Sequence, residues 1–187
     1  MNDYTEFLKP EDCLLLLVDF QKTLLDFCIE PDLMRKNAAA LVDAALVFDV
    51  PVILTAQNAG KLGGVLPELH GKVPQSPVFN KLEFSCFENA GIDRAIAAAR
   101  RKVILMGGME THICVFHTAA DALRRGYRAH VIADAVTSRT AFNREIGLRR
   151  LEKAGATISS TEMAIYELLN RAGTDEFRAM LPLLKTL

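Results

Sequence analysis

Leu14–Val18 is an unbroken apolar run that stops at Asp19, the pattern of a strand buried on both faces. Apolar residues then recur at helical spacing through Asp32–Phe48, at Met34, Ala38, Leu41, Val42, Ala45 and Leu46. Pro51–Thr55 reads as a second short strand. Gln57–Pro77 carries Gly60, Gly63, Gly64, Pro67, Gly71, Pro74 and Pro77 without a sustained period, which predicts a long irregular loop. Val78-Phe79 reads as a brief edge strand, Glu88–Arg101 as a helix, and Lys102–Met106 as a strong strand closed by Gly107-Gly108.

The second half repeats the alternation. His112–Arg125 reads as a helix stopped by Gly126, with Arg124-Arg125 suiting its negative end. Arg128–Ala133 is a strand ending at Asp134, Asn143–Ala154 a helix stopped by Gly155, and Ala156–Ile158 a last strand. Ser159-Ser-Thr-Glu162 fits a capping box opening a helix that runs to about Asn170. Asp175–Lys185 is a terminal helix, apolar enough over Phe177–Leu187 to dock on its own domain or on a neighbour. Strands separated by helices of this length mean βαβ units with right-handed crossovers. The expected fold is a three-layer α/β/α, doubly wound, Rossmann-like domain with a mostly parallel sheet of five to six strands. Ligands of such sheets bind outside the carboxyl ends of the strands, where strand order reverses.

At 187 residues, against about 150 per domain, residues 1–187 are expected to form a single domain. With 22 Lys+Arg against 23 Asp+Glu, and no basic stripe interleaved with aromatics, neither nucleic acid nor a membrane surface is an expected partner. No apolar run approaches the roughly 18 residues of a bilayer span. The opening MNDYTEFLKPED is polar and acidic, unlike a signal peptide. Cys13, Cys28, Cys86 and Cys114 are widely spaced without a CxxC pair, a reduced, cytoplasmic set rather than a disulfide framework or zinc site.

Asp19 at a strand end has two readings. It is a helix N-cap or ion-pair partner, or a partly desolvated carboxylate with raised proton affinity and hence a candidate base. Cys114 falls in the first turn after the third strong strand, where unpaired N–H groups favour a thiolate. Its alternative is a small core residue. On an ideal wheel of about 100° per residue, Cys114 lies about 160° from Phe116 and off the apolar stripe, although a first turn need not follow ideal geometry. Lys81 says little alone; near a thiol and a carboxylate, an ammonium would favour the thiolate. Cys13 reads as core, Cys28 and Cys86 lie in segments that could line the crevice or simply pack, and His70 and His130 have structural readings. His112 and His117 are five apart, a poor spacing for two ligands on one face. No metal cluster and no cofactor motif emerges.

Asp19 after a Leu-rich strand, Lys81 ahead of an aromatic-Ser segment, and Gly-Met-Glu-Thr-His-Ile-Cys-Val over 108–115 together resemble the isochorismatase-like cysteine hydrolase superfamily, from about Leu14 to about Leu169. Thr118–Tyr127 and Asp134–Ser138 strengthen the resemblance. It implies a triad of Asp19, Lys81 and Cys114, a cis peptide at Met109–Glu110, and an oxyanion hole made by the backbone N–H groups of Glu110 and Cys114. It also implies a small-molecule substrate and a homo-oligomer. Phe20, Gln57, Phe84 and Phe87 are candidate pocket residues. Nicotinamidases of this superfamily carry a metal-binding Asp-x-His after the second strand, where this chain has Gln57-Asn58-Ala59. The resemblance therefore implies a metal-independent hydrolase, and the presence of Cys114, which some isochorismate-hydrolysing members lack, implies cleavage of a small amide or ureido C–N bond through a Cys114 thioester. The alternatives are a vinyl-ether or ester hydrolase on the same scaffold, or a binding protein that keeps the fold.

Overall fold

β1 (Cys13–Val18) is buried along its whole length, sending Leu15 and Leu17 into one core and Leu14, Leu16 and Val18 into the other. A strand flanked on both faces is what an unbroken apolar run produces. The structure is a computed structural model describing residues 6–187; Met1–Thr5, at the head of the polar opening segment, lie outside the described residues. After β1 come α1 (Lys22–Leu25), α2 (Pro31–Val47), β2 (Val52–Gln57), α3 (Ala59–Leu62), α4 (Pro67–His70) and β3 (Val78–Lys81). α5 (Ala90–Ala99), β4 (Val103–Met109), a π-helical turn (Thr111–Val115), α6 (Phe116–Arg124) and β5 (Arg128–Thr137) follow. α7 (Ala141–Lys153), β6 (Thr157–Ser159), α8 (Thr161–Leu169) and α9 (Asp175–Leu184) complete the described chain.

Among the described residues six strands form one sheet in the order β3-β2-β1-β4-β5-β6, every neighbouring pair parallel. α2 and α8 cover one face and α5, α6 and α7 the other, the three-layer architecture expected. α9 docks on its own domain, where Met180 packs with Ala44, Ile165 and Leu169. Strand order reverses between β1 and β4, so the crevice lies beyond Val18 and Met109. Among the described residues no helix is long and apolar enough to cross a membrane.

Four local departures have physical causes. The Gln57–Pro77 segment holds two one-turn helices, α3 stopped at Gly63 (φ 80°) and α4 opened by Pro67 at its first position. β4 runs on through Gly107-Gly108 to Met109 because Gly108, at φ 146°, comes so close to β1 that an added Cβ would overlap the Val18 carbonyl oxygen. β5 likewise continues past Asp134 to Thr137, across a register shift between Met106 and Gly108. The cap of α8 is Ser160, which accepts the Met163 N–H at 3.2 Å; Glu162 falls one position short of a reciprocal box.

His130 on β5 shares a face with Ile132 and is 3% exposed, and neither ring nitrogen has a hydrogen-bond partner among the described residues. Burial, with the Arg128 charge adding, pushes its pKa from 6.5 down to about 4. The folded chain thus holds this proton more weakly than the unfolded chain. The stability contributed by the neutral ring is full above about pH 6.5 and lost as pH falls toward 4. A gap of about 2.5 pH units corresponds to about 3 kcal/mol. His130→Leu is expected to remove that part of the acid sensitivity, measured by urea unfolding between about pH 7 and about pH 4. Parallel losses in wild type and variant would exclude His130 as the source.

Candidate active site

Asp19 follows β1 in the left-handed region, at φ 59°, a conformation that Asp tolerates better than most residues. The turn directs its carboxylate toward the ends of β2 and β3. Its N–H donates to the Thr55 carbonyl and hydroxyl at 3.1 and 3.2 Å, and the Thr55 hydroxyl donates to Asp19 Oδ1 at 2.7 Å. Lys81, the last residue of β3, donates from Nζ to Asp19 Oδ2 at 2.6 Å, to Gln57 Oε1 at 2.6 Å and to the Glu83 carbonyl at 3.2 Å. Both ion-paired side chains are 0% exposed. Burial alone would lower the lysine pKa, but the Asp19 carboxylate, helped by Cys114 and Cys86, raises it.

Cys114 lies in the π-helical turn, 6% exposed, close enough to Asp19 and Lys81 for both charges to act on its thiol. Burial first, and the Asp19 charge second, push its pKa up to about 12 against the lowering effect of Lys81. This corrects the expectation of a helix-stabilised thiolate: at neutral pH the resting group is a thiol beside a carboxylate. It also corrects the wheel argument, since Cys114 belongs to the core beside Val115 and Ala119 while still reaching Asp19. The π turn rotates the first residues away from ideal α spacing; the N–H groups of Ile113 and Val115 both donate to the Glu110 carbonyl, at 2.9 and 3.2 Å.

That turn is clasped to the end of β5 by three successive side chains. Glu110 accepts from Arg139 N and Nε at 3.0 Å each and from Nη2 at 2.6 Å. Thr111 Oγ1 donates to the Thr137 carbonyl at 2.9 Å, and His112 Nδ1 lies 3.0 Å from Ser138 Oγ. Burial would raise the Glu110 pKa, but the Arg139 hydrogen bonds and charge hold it below the usual carboxylate value. The Met109–Glu110 peptide is cis. Behind the turn, a Cβ on Gly147 of α7 would sit 3.0 Å from the His112 nitrogen, so α7 supports it at backbone contact.

The isochorismatase domain family matches residues 13–163. The chain belongs to the isochorismatase family. The secreted isochorismatase effector Isc1 of Phytophthora sojae is 34% identical over 181 residues, spanning 94% of this chain and 86% of that protein. Among solved structures, YcaC from Pseudomonas aeruginosa with hexane-2,5-diol and covalent acrylamide superposes with TM-score 0.90 at 28% identity, over 96% of this chain and 92% of its own. The YcaC gene product of Escherichia coli, described as an octameric hydrolase of unknown specificity, gives TM-score 0.88 at 28% identity, over 100% of this chain and 90% of its own.

In this isochorismatase-family chain the expected pocket residues separate. Phe20 is 0% exposed within the core and leaves no surface to line an opening. Phe87 is nearly as enclosed, packed against Tyr127 and under the Arg125 guanidinium 5.0 Å from its ring. Both follow from the apolar packing that anchors their loops. Phe84 is half exposed, its ring 5.9 Å from that of His117. Gln57 is an ammonium partner, with its Nε2 donating to the Leu82 carbonyl at 2.9 Å. A cavity of about 450 Å³ opens instead between Leu24, Phe27, Cys28, Glu110, Arg139 and Thr140, beyond the ends of β1, β4 and β5. The sequence reading missed Thr55 and Arg139, and left Cys86 between lining the crevice and packing. Cys86 is fully buried, its backbone N–H donates to the Thr118 hydroxyl at 3.1 Å, and burial pushes its thiol up to about 11. A polar Thr55 closing an apolar strand was the available signal for the first.

Removing one member of a buried ion pair strands the other. Lys81→Met is expected to destabilise the fold by about 3–5 kcal/mol in urea unfolding, and adding Asp19→Asn to recover most of that loss. Additive losses would show the two charges to be uncoupled.

Proposed function

We propose that this chain is a metal-independent cysteine hydrolase that cleaves a small amide or ureido C–N bond through a thioester on Cys114. The observation that carries the reading is the buried Asp19–Lys81 ion pair, 2.6 Å apart, whose two charges both act on the Cys114 thiol. Asp19 takes the thiol proton as sulfur attacks the carbonyl carbon. The oxyanion of the tetrahedral intermediate is received by the backbone N–H groups of Glu110 and Cys114, where losing one donor typically costs about 2.7–4 kcal/mol of barrier. Asp19 returns the proton to the leaving nitrogen, the C–N bond breaks, and a thioester remains. Water, deprotonated by Asp19, then releases the acid and restores the thiol. Lys81 stays an ammonium throughout and stabilises each anionic state.

The covalent acrylamide of P. aeruginosa YcaC, an electrophile that a nucleophile attacks at its C=C bond, supports a reactive nucleophile on this fold. At the place where nicotinamidases carry Asp-x-His, this chain has Gln57-Asn58-Ala59, with the Gln57 oxygen already bonded to Lys81. That supports chemistry without a metal. The octameric E. coli neighbour supports a homo-oligomer, and the four free cysteines suit a reducing, cytoplasmic location although the P. sojae relative is named a secreted protein.

A panel of small amides, ureas and esters, read by product formation and by intact mass, tests the reaction. The expected result is an acyl adduct on Cys114 with the amides or ureas. Cys114→Ala should abolish the adduct and lower turnover by at least about a thousandfold. Turnover that survives in the variant rejects the covalent route, and turnover confined to esters rejects the C–N assignment.

A further inference from the structure

Resting on the reading of Asp19, Lys81 and Cys114 as the reactive set, we infer that Gln57 is a positioning residue that holds the Lys81 ammonium on Asp19 and away from the Cys114 sulfur. An ammonium has three protons, and Asp19 Oδ2, Gln57 Oε1 and the Glu83 carbonyl supply three acceptors. The Gln57 contact, at 2.6 Å, is as short as that to the carboxylate, whereas the Glu83 carbonyl is 3.2 Å away. With these bonds made, no N–H is left to donate to sulfur. Lys81 therefore acts on Cys114 through space, and the thiol proton is directed to Asp19.

The Gln57 amide is fixed in that sense. Its Nε2 donates to the Leu82 carbonyl at 2.9 Å, so only the oxygen can face Lys81. Its backbone is gripped by Gln21, two residues beyond Asp19. The Gln57 N–H donates to Gln21 Oε1 at 2.7 Å, and Gln21 Nε2 donates to the Gln57 and Gly63 carbonyls at 3.0 and 2.5 Å. A chain of amides thus runs from the β1 loop through the end of β2 to the ammonium on β3. The β2–β3 ladder already pairs Gln57 with Lys81 through the backbone, so the side chain is free to serve the site rather than the register.

The titratable groups acting on Cys114 from the elements packed around it are Asp19, Lys81 and Cys86, with Glu83 beside Lys81 on the exposed side. Against that background the Gln57 oxygen contributes negative potential and occupies one ammonium proton. Gln57→Glu keeps the shape and the acceptor but adds a full negative charge. Gln57→Leu removes the acceptor and releases an N–H to the sulfur. The thiolate of Cys114 should therefore form at lower pH in Gln57→Leu than in wild type and at higher pH in Gln57→Glu, by about one pH unit in each direction.

Ultraviolet titration of thiolate absorbance, with the Cys114→Ala protein as background, reads the midpoints. Iodoacetamide labelling located on Cys114 by mass gives a second reading. At mildly alkaline pH it should be about threefold faster in Gln57→Leu and about threefold slower in Gln57→Glu, because a tenfold change in thiolate fraction is partly offset by nucleophilicity. Equal midpoints in the three proteins, or the reverse order, overturn the inference. Should Gln57→Leu fail to fold, the isosteric Gln57→Glu decides alone, since an unshifted midpoint there is enough to reject the role. Failure of Cys114 to form an acyl adduct would sink the hydrolase reading and leave this ordering standing, so the two are separable.

Discussion

A carboxylate and an ammonium, both 0% exposed, sit 2.6 Å apart at the point where three parallel strands end. Neither charge can be left there without the other, because an unpaired ion in so dry a place costs several kcal/mol. The rest of the site follows from meeting that demand. Oδ1 of Asp19 is satisfied by Thr55 and Oδ2 by Lys81, while the remaining ammonium protons go to Gln57 and Glu83. The cluster therefore ties the ends of β1, β2 and β3 into one polar unit at the carboxyl edge of an otherwise apolar sheet.

The electrostatic consequence for sulfur is less obvious than a triad diagram suggests. Lys81 lowers the proton affinity of Cys114, yet burial and the Asp19 charge outweigh it, leaving a neutral thiol at rest. Under the proposed mechanism a neutral nucleophile suits a neighbouring base, since thiolate then forms only as a carbonyl compound arrives and its developing oxyanion shares the negative charge. A permanently exposed thiolate would be open to oxidation and alkylation. On that proposal the ion pair sets both the reactivity of the site and its quiescence between turnovers.

The alternation of apolar runs and helical periods was enough to read the layers, the parallel sheet and the crevice, because each of those depends on local period and connection length. Asp19 at a strand end and Cys114 in the turn after one were legible as candidates, whereas Lys81 said little until the family resemblance pointed to it. What escaped was long-range. Nothing local says that Thr55 will meet Asp19, that Arg139 will grip Glu110, or that Phe20 and Phe87 will turn inward. The ideal wheel placed Cys114 off the apolar stripe because a straight α-helix was assumed, whereas the chain inserts a π turn that lets one residue belong to the core and to the site together. The strand ends moved for a related reason: Gly108 allows β4 to continue against β1 where a side chain would have forced the chains apart.

That close approach joins the stability of the fold to its chemistry. Asp19 extends from β1 and Cys114 from the turn beyond β4, and the separation of those two backbones is set where Gly108 meets Val18. From the far side α7 presses on the turn at Gly147, and the Glu110–Arg139, Thr111–Thr137 and His112–Ser138 contacts prevent it from sliding along β5. The buried ions contribute little net stability, so the apolar packing on both faces of β1 must hold them in register. The same packing therefore fixes the placement of the sulfur beside the carboxylate. A void or bulge introduced several residues away, along the line from Val18 to Gly147, should disturb proton transfer before it unfolds the domain, because misplacement by about 1 Å is enough to cost about a hundredfold in rate.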